Sequence, residues 1–345
     1  MNRTITVGDV SANPGEVKEG YALSVELRDG SPIRVPVIIM NGKEDGPHVV
    51  IVAGTHPTEL VGVAGVHIIA KKININDLKG SITIFPLANP LAMQFGSYVT
   101  PHDGVNLSTA YPGSSDGGVT SRFANLIWET TINSKANLLM DFHENVVPCL
   151  SFSIVGTTDK PETDRIAVEA AEAFGITVIR SGAVNFGLPG TKPGDMSITK
   201  QAMREGIPAF TPEFEGTTQN SLEESESSVS ICVNGILNTL RYMKMLDGTI
   251  SPHPDLLLMK GDYMAHGTVR ANKGGIIHRT APIATKLQAG TKIATVYNVF
   301  GKEVETIEMP IDGYLWGWIP GNPAGDSRNW TVQSGSPVGF IFKDK

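Results

Sequence analysis

The 345-residue sequence predicts an α/β protein, with a mainly parallel mixed sheet flanked by helices and a C-terminal all-β domain. Three observations predict it. Short apolar, β-branched runs alternate with helical stretches through the first part of the chain, as in sheets covered on both faces by crossover helices. The first such run, Val49-Val50-Ile51-Val52-Ala53, leads through a Gly-Thr turn into a polar helix start. From about Ser251 the helical period is lost, and short alternating stretches are broken by Gly and Pro. Residues 1–250 are therefore expected as one domain, opening with an antiparallel lead-in over 1–46, and residues 251–345 as another.

In chain order, Met1 to Val7 reads as a strand. Tyr21 to Leu27 and Ile33 to Met40 alternate around Asp29-Gly30 as a hairpin. After Glu59 a helix is expected with Val63, Val66, His67, Ile69 and Ala70 on its buried side. Ile82 to Ala88 is a second buried strand. Asn89 to Gly118 is rich in Gly, Pro, Asn and Ser without a period, and a loop of that length is usually functional. A helix over Ser121 to Thr131 leads to the strand Leu138 to His143. Leu150 to Val155 is a strand, Glu162 to Phe174 a helix and Ile176 to Ile179 a strand. Ser181 to Asp195 is a second Gly/Pro-rich loop, suited to a lid. A short helix (Met196 to Arg204) precedes Ile207 to Gly216, and Val229 to Met243 carries a long amphipathic period. Beyond it, Val269, Ile276-Ile277, Ile293 to Val296, Val304 to Ile307, Tyr314 to Ile319 and Val338 to Phe342 read as strands.

The net charge of −7 and the scattered Lys and Arg argue against nucleic acid or an anionic membrane surface. Glu223-Glu224-Ser225-Glu226 reads as a solvated helix start. Two cysteines, Cys149 and Cys232, make no disulfide framework and sit in apolar contexts as core residues. No apolar run reaches the ~18 residues of a membrane span, and the N-terminus does not read as a signal peptide. A cytoplasmic enzyme with a small-molecule substrate is expected, and assembly into a homo-oligomer is left open.

Three strand ends carry polar residues of one chemical kind: His56 and Glu59, then His143, then Glu213 and Glu215. Residues three apart share a helix face, so His56 and Glu59 are expected to converge. Two imidazoles and a carboxylate, with one position open, form the ligand set of catalytic zinc. A further carboxylate then serves as general base. Each piece also has a plain structural reading: a lone histidine at a strand end is often only hydrogen-bonded, and Glu213 and Glu215 fit a solvated sheet end. Asp141 lies on the same side of its strand as His143 and is a candidate partner for it, although strand geometry alone does not bring the two into contact. Gly113-Ser114-Ser115-Asp116-Gly117 fits the nucleophile-elbow pattern, but no strand precedes it.

The order Gly-Thr-His-x-x-Glu, Asn-Pro, Asp-Gly-x-Asn-Leu…Tyr-Pro-Gly, Asp-Phe-His and Thr-x-Glu resembles the succinylglutamate desuccinylase/aspartoacylase family of zinc deacylases, relatives of the zinc carboxypeptidases. The resemblance runs over nearly the whole chain. It implies a zinc carboxypeptidase-like fold, with one Zn2+ held by His56, Glu59 and His143. It implies Glu213 as the catalytic glutamate that takes a proton from water and gives it to the leaving amine. Glu215 is the alternative base if the register slips by two.

The departures concern the substrate. The family's Asn-Arg pair, which grips a substrate carboxylate, is replaced within Leu107-Ser108-Thr109. The family's oxyanion-stabilising arginine falls at or near Tyr98. Ser108 and Thr109 offer neutral hydroxyls, and Arg122 and Lys192 are the candidate replacement cations. The sequence reading is thus an amide hydrolase acting on a small N-acylated compound. A metallocarboxypeptidase would lack its carboxylate clamp, and a non-catalytic binding protein would have no need of an intact base.

Overall fold

The computed structural model describes residues 3–145, 149–181, 197–215, 222–253, 263–318 and 331–344. Strands β1 (Ile5–Val7) and β2 (Val10–Ala12) pair as a small hairpin, and β3 (Glu16–Glu26) and β4 (Pro32–Asn41) as a long one. The chain continues through β5 (Glu44–Val52), α1 (Leu60–Lys72), β6 (Lys79–Phe85), α2 (Pro90–Phe95) and α3 (Val119–Asn133). Next come β7 (Leu138–Asp141), β8 (His143–Glu144), β9 (Phe152–Gly156), α4 (Pro161–Phe174) and β10 (Thr177–Ser181). Then α5 (Ile198–Glu205), β11 (Ala209–Phe214) and α6 (Leu222–Tyr242) follow. The C-terminal strands are β12 (Tyr263–Arg270), β13 (Gly275–Arg279), β14 (Thr285–Leu287), β15 (Lys292–Tyr297), β16 (Glu303–Glu308), β17 (Gly313–Trp318), β18 (Thr331–Val332) and β19 (Pro337–Asp344).

The mixed sheet, flanked by helices, agrees with the fold class expected from the sequence. Its strands run β14-β17-β19-β12-β10-β9-β11-β7-β5-β6-β4-β3, with β8 continuing β7 beside β11. At its centre β11, β7, β5 and β6 are mutually parallel, so their carboxyl ends open on one crevice. Strand β12 pairs parallel with β10. Strands β12, β19, β17 and β14 therefore extend the same sheet. A separate antiparallel sheet, β16-β15-β13-β18, completes the C-terminal region.

The core beneath the central strands is aromatic. Phe142, Phe174, Phe210 and Phe214 are all buried, with ring centroids about 6 Å apart. A second cluster joins Phe152 and Ile179 of β9 and β10 to Trp316, Phe340 and Phe342 of the C-terminal strands, and Trp316 Nε1 donates to the Leu150 carbonyl. Cys149 and Cys232 are buried, free thiols, as their apolar contexts predict. Among the described residues no helix is long and apolar enough to cross a membrane.

Two local expectations are corrected. Helix α1 buries Val61, Gly62, Gly65, Val66 and Ile69, which turns His67, one step round from Val66, to solvent. The Asn89 to Gly118 stretch is not without regular structure. Asn89 caps α2 by accepting from Ala92 N, Pro90 occupies its first turn, and Gly96 ends it in the left-handed region at φ 61°. The N-terminal strand agrees with the expected antiparallel lead-in, as one half of a hairpin turned at Gly8.

His48, at the start of the apolar run of β5, is buried. Its Nδ1 lies 2.6 Å from Ser81 Oγ, and Nε2 has no partner among the described residues. Burial, helped by the positive charge of Arg3, pushes its pKa down to about 4. The folded state thus favours neutral imidazole. That stability is fully present above the unfolded pKa near 6.5 and is lost as pH falls toward 4. With metal removed by chelator, wild type is expected to lose about 2 kcal/mol more unfolding free energy than His48→Gln between pH 7 and pH 4.5. Denaturant melts at the two pH values check this, and equal losses would contradict it.

Candidate metal centre and active site

The site is assembled at the carboxyl ends of β5, β7 and β11. After Val52 the chain leaves the sheet at Gly54, whose φ of 68° lies in the left-handed region. An added Cβ there would stand 2.9 Å from Leu87 Cδ1 and 3.0 Å from Leu87 Cα, so glycine alone suits the turn. His56 and Glu59 lie in the turn before α1 and not on its face as expected, because the helix begins at Leu60. The turn still brings them together: His56 Nδ1 is 2.6 Å from Glu59 Oε1.

His143 comes in from the neighbouring strand, with Nδ1 2.8 Å from Glu59 Oε2. The ligand atoms of His56, Glu59 and His143 lie within 4.8 Å of one another. Glu59 does not cap α1 with its side chain. Instead Glu144, the residue after His143, accepts from Val61 N at 3.1 Å, a favourable place for a carboxylate. Glu59 is thereby left for the histidines.

Each imidazole is held from behind through its other nitrogen. His143 Nε2 is 3.2 Å from Asp141 Oδ2, a contact that the strand geometry alone left open. His56 Nε2 is 3.1 Å from Asn106 Oδ1, a contact that sequence spacing did not foretell. Both nitrogens so engaged leave Nδ1 of each ring directed at Glu59. Burial alone would raise the Glu59 carboxyl, but the two histidines bring it down to about 2. Burial alone would lower His143, yet Asp141 and Glu59 hold it well above the usual range. The donor set fits a divalent cation: two imidazoles and a carboxylate converge, their outer nitrogens are anchored, and further carboxylates stand close by.

Glu213 on β11 is in register with His143 on β8, and Asn145 Nδ2 donates to its Oε2 at 3.3 Å. Burial first, then the charges of Glu59, Asp141 and Glu144, push its carboxyl up to about 8 against the opposing pull of His143. Glu215 lies past the end of the strand, where its backbone N–H donates to Ser151 Oγ.

Tyr98 lies flat on His56, with ring centroids 3.9 Å apart and planes 9° from parallel. The residue as a whole is 42% exposed; desolvation of its hydroxyl end, then the charges of Glu59 and Glu213, raise its pKa, so the phenol keeps its proton.

The remaining sequence candidates are placed differently. Ser108 N and Oγ both donate to Asn106 Oδ1 at 2.9 Å, and Thr109 Oγ1 donates to the Asn106 carbonyl at 3.3 Å. Their hydroxyls thus hold the residue that holds His56. The structure does not bring Arg122 to the cluster. Its Nε donates to the Gly117 carbonyl at 2.9 Å, and it lines a cleft of about 500 Å3 between α3 and residues 3–8. Ser114 Oγ donates to Asp116 on an exposed turn, and the Gly113 to Gly117 segment follows no strand. Lys192 lies outside the described residues.

Asn106 and Glu144 are the residues that sequence reasoning missed. Each had a signal: Asn106 belongs to the Asp-Gly-x-Asn-Leu motif, and Glu144 directly follows the candidate ligand His143.

Residues 45–240 match the profile of the succinylglutamate desuccinylase/aspartoacylase catalytic domain. The chain is similar to an N-alpha-acetyl-L-2,4-diaminobutyric acid deacetylase of Halomonas elongata. They are 24% identical over 280 residues, spanning 80% of this chain and 78% of the relative. In structure it is similar to a succinylglutamate desuccinylase/aspartoacylase from Rhodobacter sphaeroides, with TM-score 0.81, 20% identity and 99% of each chain covered. It is also similar to the product-bound ectoine utilization protein EutE (DoeB) from Ruegeria pomeroyi, with TM-score 0.79, 19% identity and 99% of each chain covered.

Proposed function

The chain belongs to the succinylglutamate desuccinylase/aspartoacylase family, and from that premise we propose that it is a zinc-dependent deacylase of small N-acylated compounds. The observation that carries the proposal is the buried His56–Glu59–His143 cluster with Glu213 in register beside it. On this reading residues 1–250 hold the whole site and residues 251–345 form a β unit.

His56, Glu59 and His143 would hold the zinc ion, which when bound would supply Lewis acidity to a scissile carbonyl and to a nucleophilic water. Asp141 and Asn106 keep the two imidazoles turned for that binding. Glu213 accepts the proton of the attacking water and passes it to the leaving amine. Its burial makes the carboxylate a strong proton acceptor. Tyr98 donates its O–H to the oxyanion that develops on the carbonyl oxygen. The Halomonas relative removes an acetyl group from an amine, which supports an acetyl or similarly small acyl group here.

The substrate is proposed to be neutral where the family's usual substrates carry a carboxylate. A bidentate Arg–carboxylate contact is charge-assisted. In its place the Leu107–Thr109 turn presents hydroxyls that donate inward to Asn106. The test compares an N-acetyl amino acid with its carboxamide by kcat/KM. The amide is expected to be preferred, by about tenfold on the scale of one charged hydrogen bond. A strong preference for the free acid that vanishes in Arg122→Ala or Lys192→Ala would refute neutrality and locate a replacement clamp. Failure to cleave either compound, or any uncharged N-acyl amide, would refute the deacylase reading itself.

A further inference from the structure

The two halves of the metal cluster come from segments far apart in sequence. His56 and Glu59 lie in the turn before α1, and His143 lies on β8. Two contacts join these segments right beside the ligands. Glu144, which follows His143, accepts from Val61 N at 3.1 Å, and both residues are buried. Phe142, which precedes His143, lies against Gly62: a Cβ added to that glycine would stand 2.7 Å from Phe142 Cβ. The residues on either side of His143 thus grip the first turn of α1, just after Glu59. Neighbouring residues of a strand point to opposite sides, so β8 gives His143 to the cluster and Glu144 to the helix.

The start of α1 needs an outside acceptor, because the first N–H groups of a helix have no partner within it. The helix has no acidic residue in its own first turn, and Glu59, at its N-cap position, makes no side-chain capping bond. Both Glu59 oxygens are on the histidines, 2.6 Å from His56 Nδ1 and 2.8 Å from His143 Nδ1. The carboxylate at the helix end comes instead from the strand that carries the other ligand.

We propose that Glu144 is a positioning residue for the metal centre: its bond to Val61 N fixes the separation of Glu59 and His143 and keeps Glu59 off the end of α1. The inference rests on the metal-site reading above and adds the clasp that holds its two halves together. Without the Glu144 carboxylate, the buried Val61 N–H is left beside Glu59, whose carboxylate is then drawn from the imidazoles toward the helix end. Groups behind the ligands tune metal affinity in this way.

The test is the zinc affinity of the full-length chain, measured by competition with a chromophoric chelator. Circular dichroism of the metal-free proteins checks that the fold is kept. Glu144→Ala is expected to bind zinc about tenfold more weakly than wild type. Glu144→Gln keeps a carbonyl oxygen for Val61 N and is expected to stay within about threefold of wild type. Should Glu144→Ala fail to fold, Gly62→Ala takes its place. Its methyl pushes α1 away from Phe142 with the Glu144 carboxylate intact, and an affinity loss of about tenfold is again expected. An affinity within about twofold of wild type in the folded variant, Glu144→Ala or its replacement, would overturn the inference. So would Glu144→Gln binding as weakly as Glu144→Ala, because the charge of Glu144 and not its bond would then act on the metal. Wild-type protein that takes up no zinc would overturn the metal reading and this inference with it. Tight wild-type binding matched by Glu144→Ala would overturn this inference alone.

Discussion

Glu213→Gln is expected to lower kcat for amide hydrolysis by about a thousandfold, the scale of a lost general base. The side chain keeps its volume and can still meet Asn145, but it can no longer accept a proton. Zinc content is expected to be unchanged, because Glu213 lies outside the His56–Glu59–His143 donor set. Glu215→Gln is expected to be mild. Glu215 follows the end of β11, whereas Glu213 is paired in register with His143. Steady-state kinetics with metal analysis of both variants decide between them. A severe effect at Glu215 with a mild one at Glu213 would move the base by two positions.

The parts of the site that the sequence made legible are those written in local pattern. Short apolar runs, β-branched at Val49 to Val52, marked the central strands, and the polar residues at their ends marked the site. Side chains that meet only through the tertiary fold left no such pattern. Asn106 reaches His56 across 50 residues, and Glu144 caps a helix that begins 84 residues before it. Tyr98 could be placed by counting from Asn89-Pro90, but its stacking on His56 depends on how α2 and the following turn pack. The reverse held for Arg122. Position after the long loop suggested the active site, whereas the helix carries it to the cleft beside the N-terminal hairpin.

His67 shows the limit of helical periodicity. Small residues at Gly62 and Gly65 let α1 approach Phe142 and Cys232 closely. The buried stripe is thereby shifted toward the glycines, which an apolar-residue count passes over. His56 and Glu59 show the complementary case: the expected helix face was wrong, yet the convergence was right, because a turn also brings residues three apart together.

The zinc content of His143→Ala, set beside that of wild type, tests the central claim most directly. Removing this imidazole takes one of three ligands and releases both Glu59 Oε2 and Asp141 Oδ2 from their partner. His143 is near the solvent-facing crevice, with a side chain 10% exposed, so truncation leaves room for water and the aromatic core beneath is untouched. Elemental analysis after dialysis is expected to find about one zinc per wild-type chain. The folded variant is expected to lose most of it, since one ligand fewer weakens a three-ligand site by orders of magnitude. Zinc retained in full by folded His143→Ala, or absent from wild type purified without chelator and supplied with zinc, would contradict the assignment.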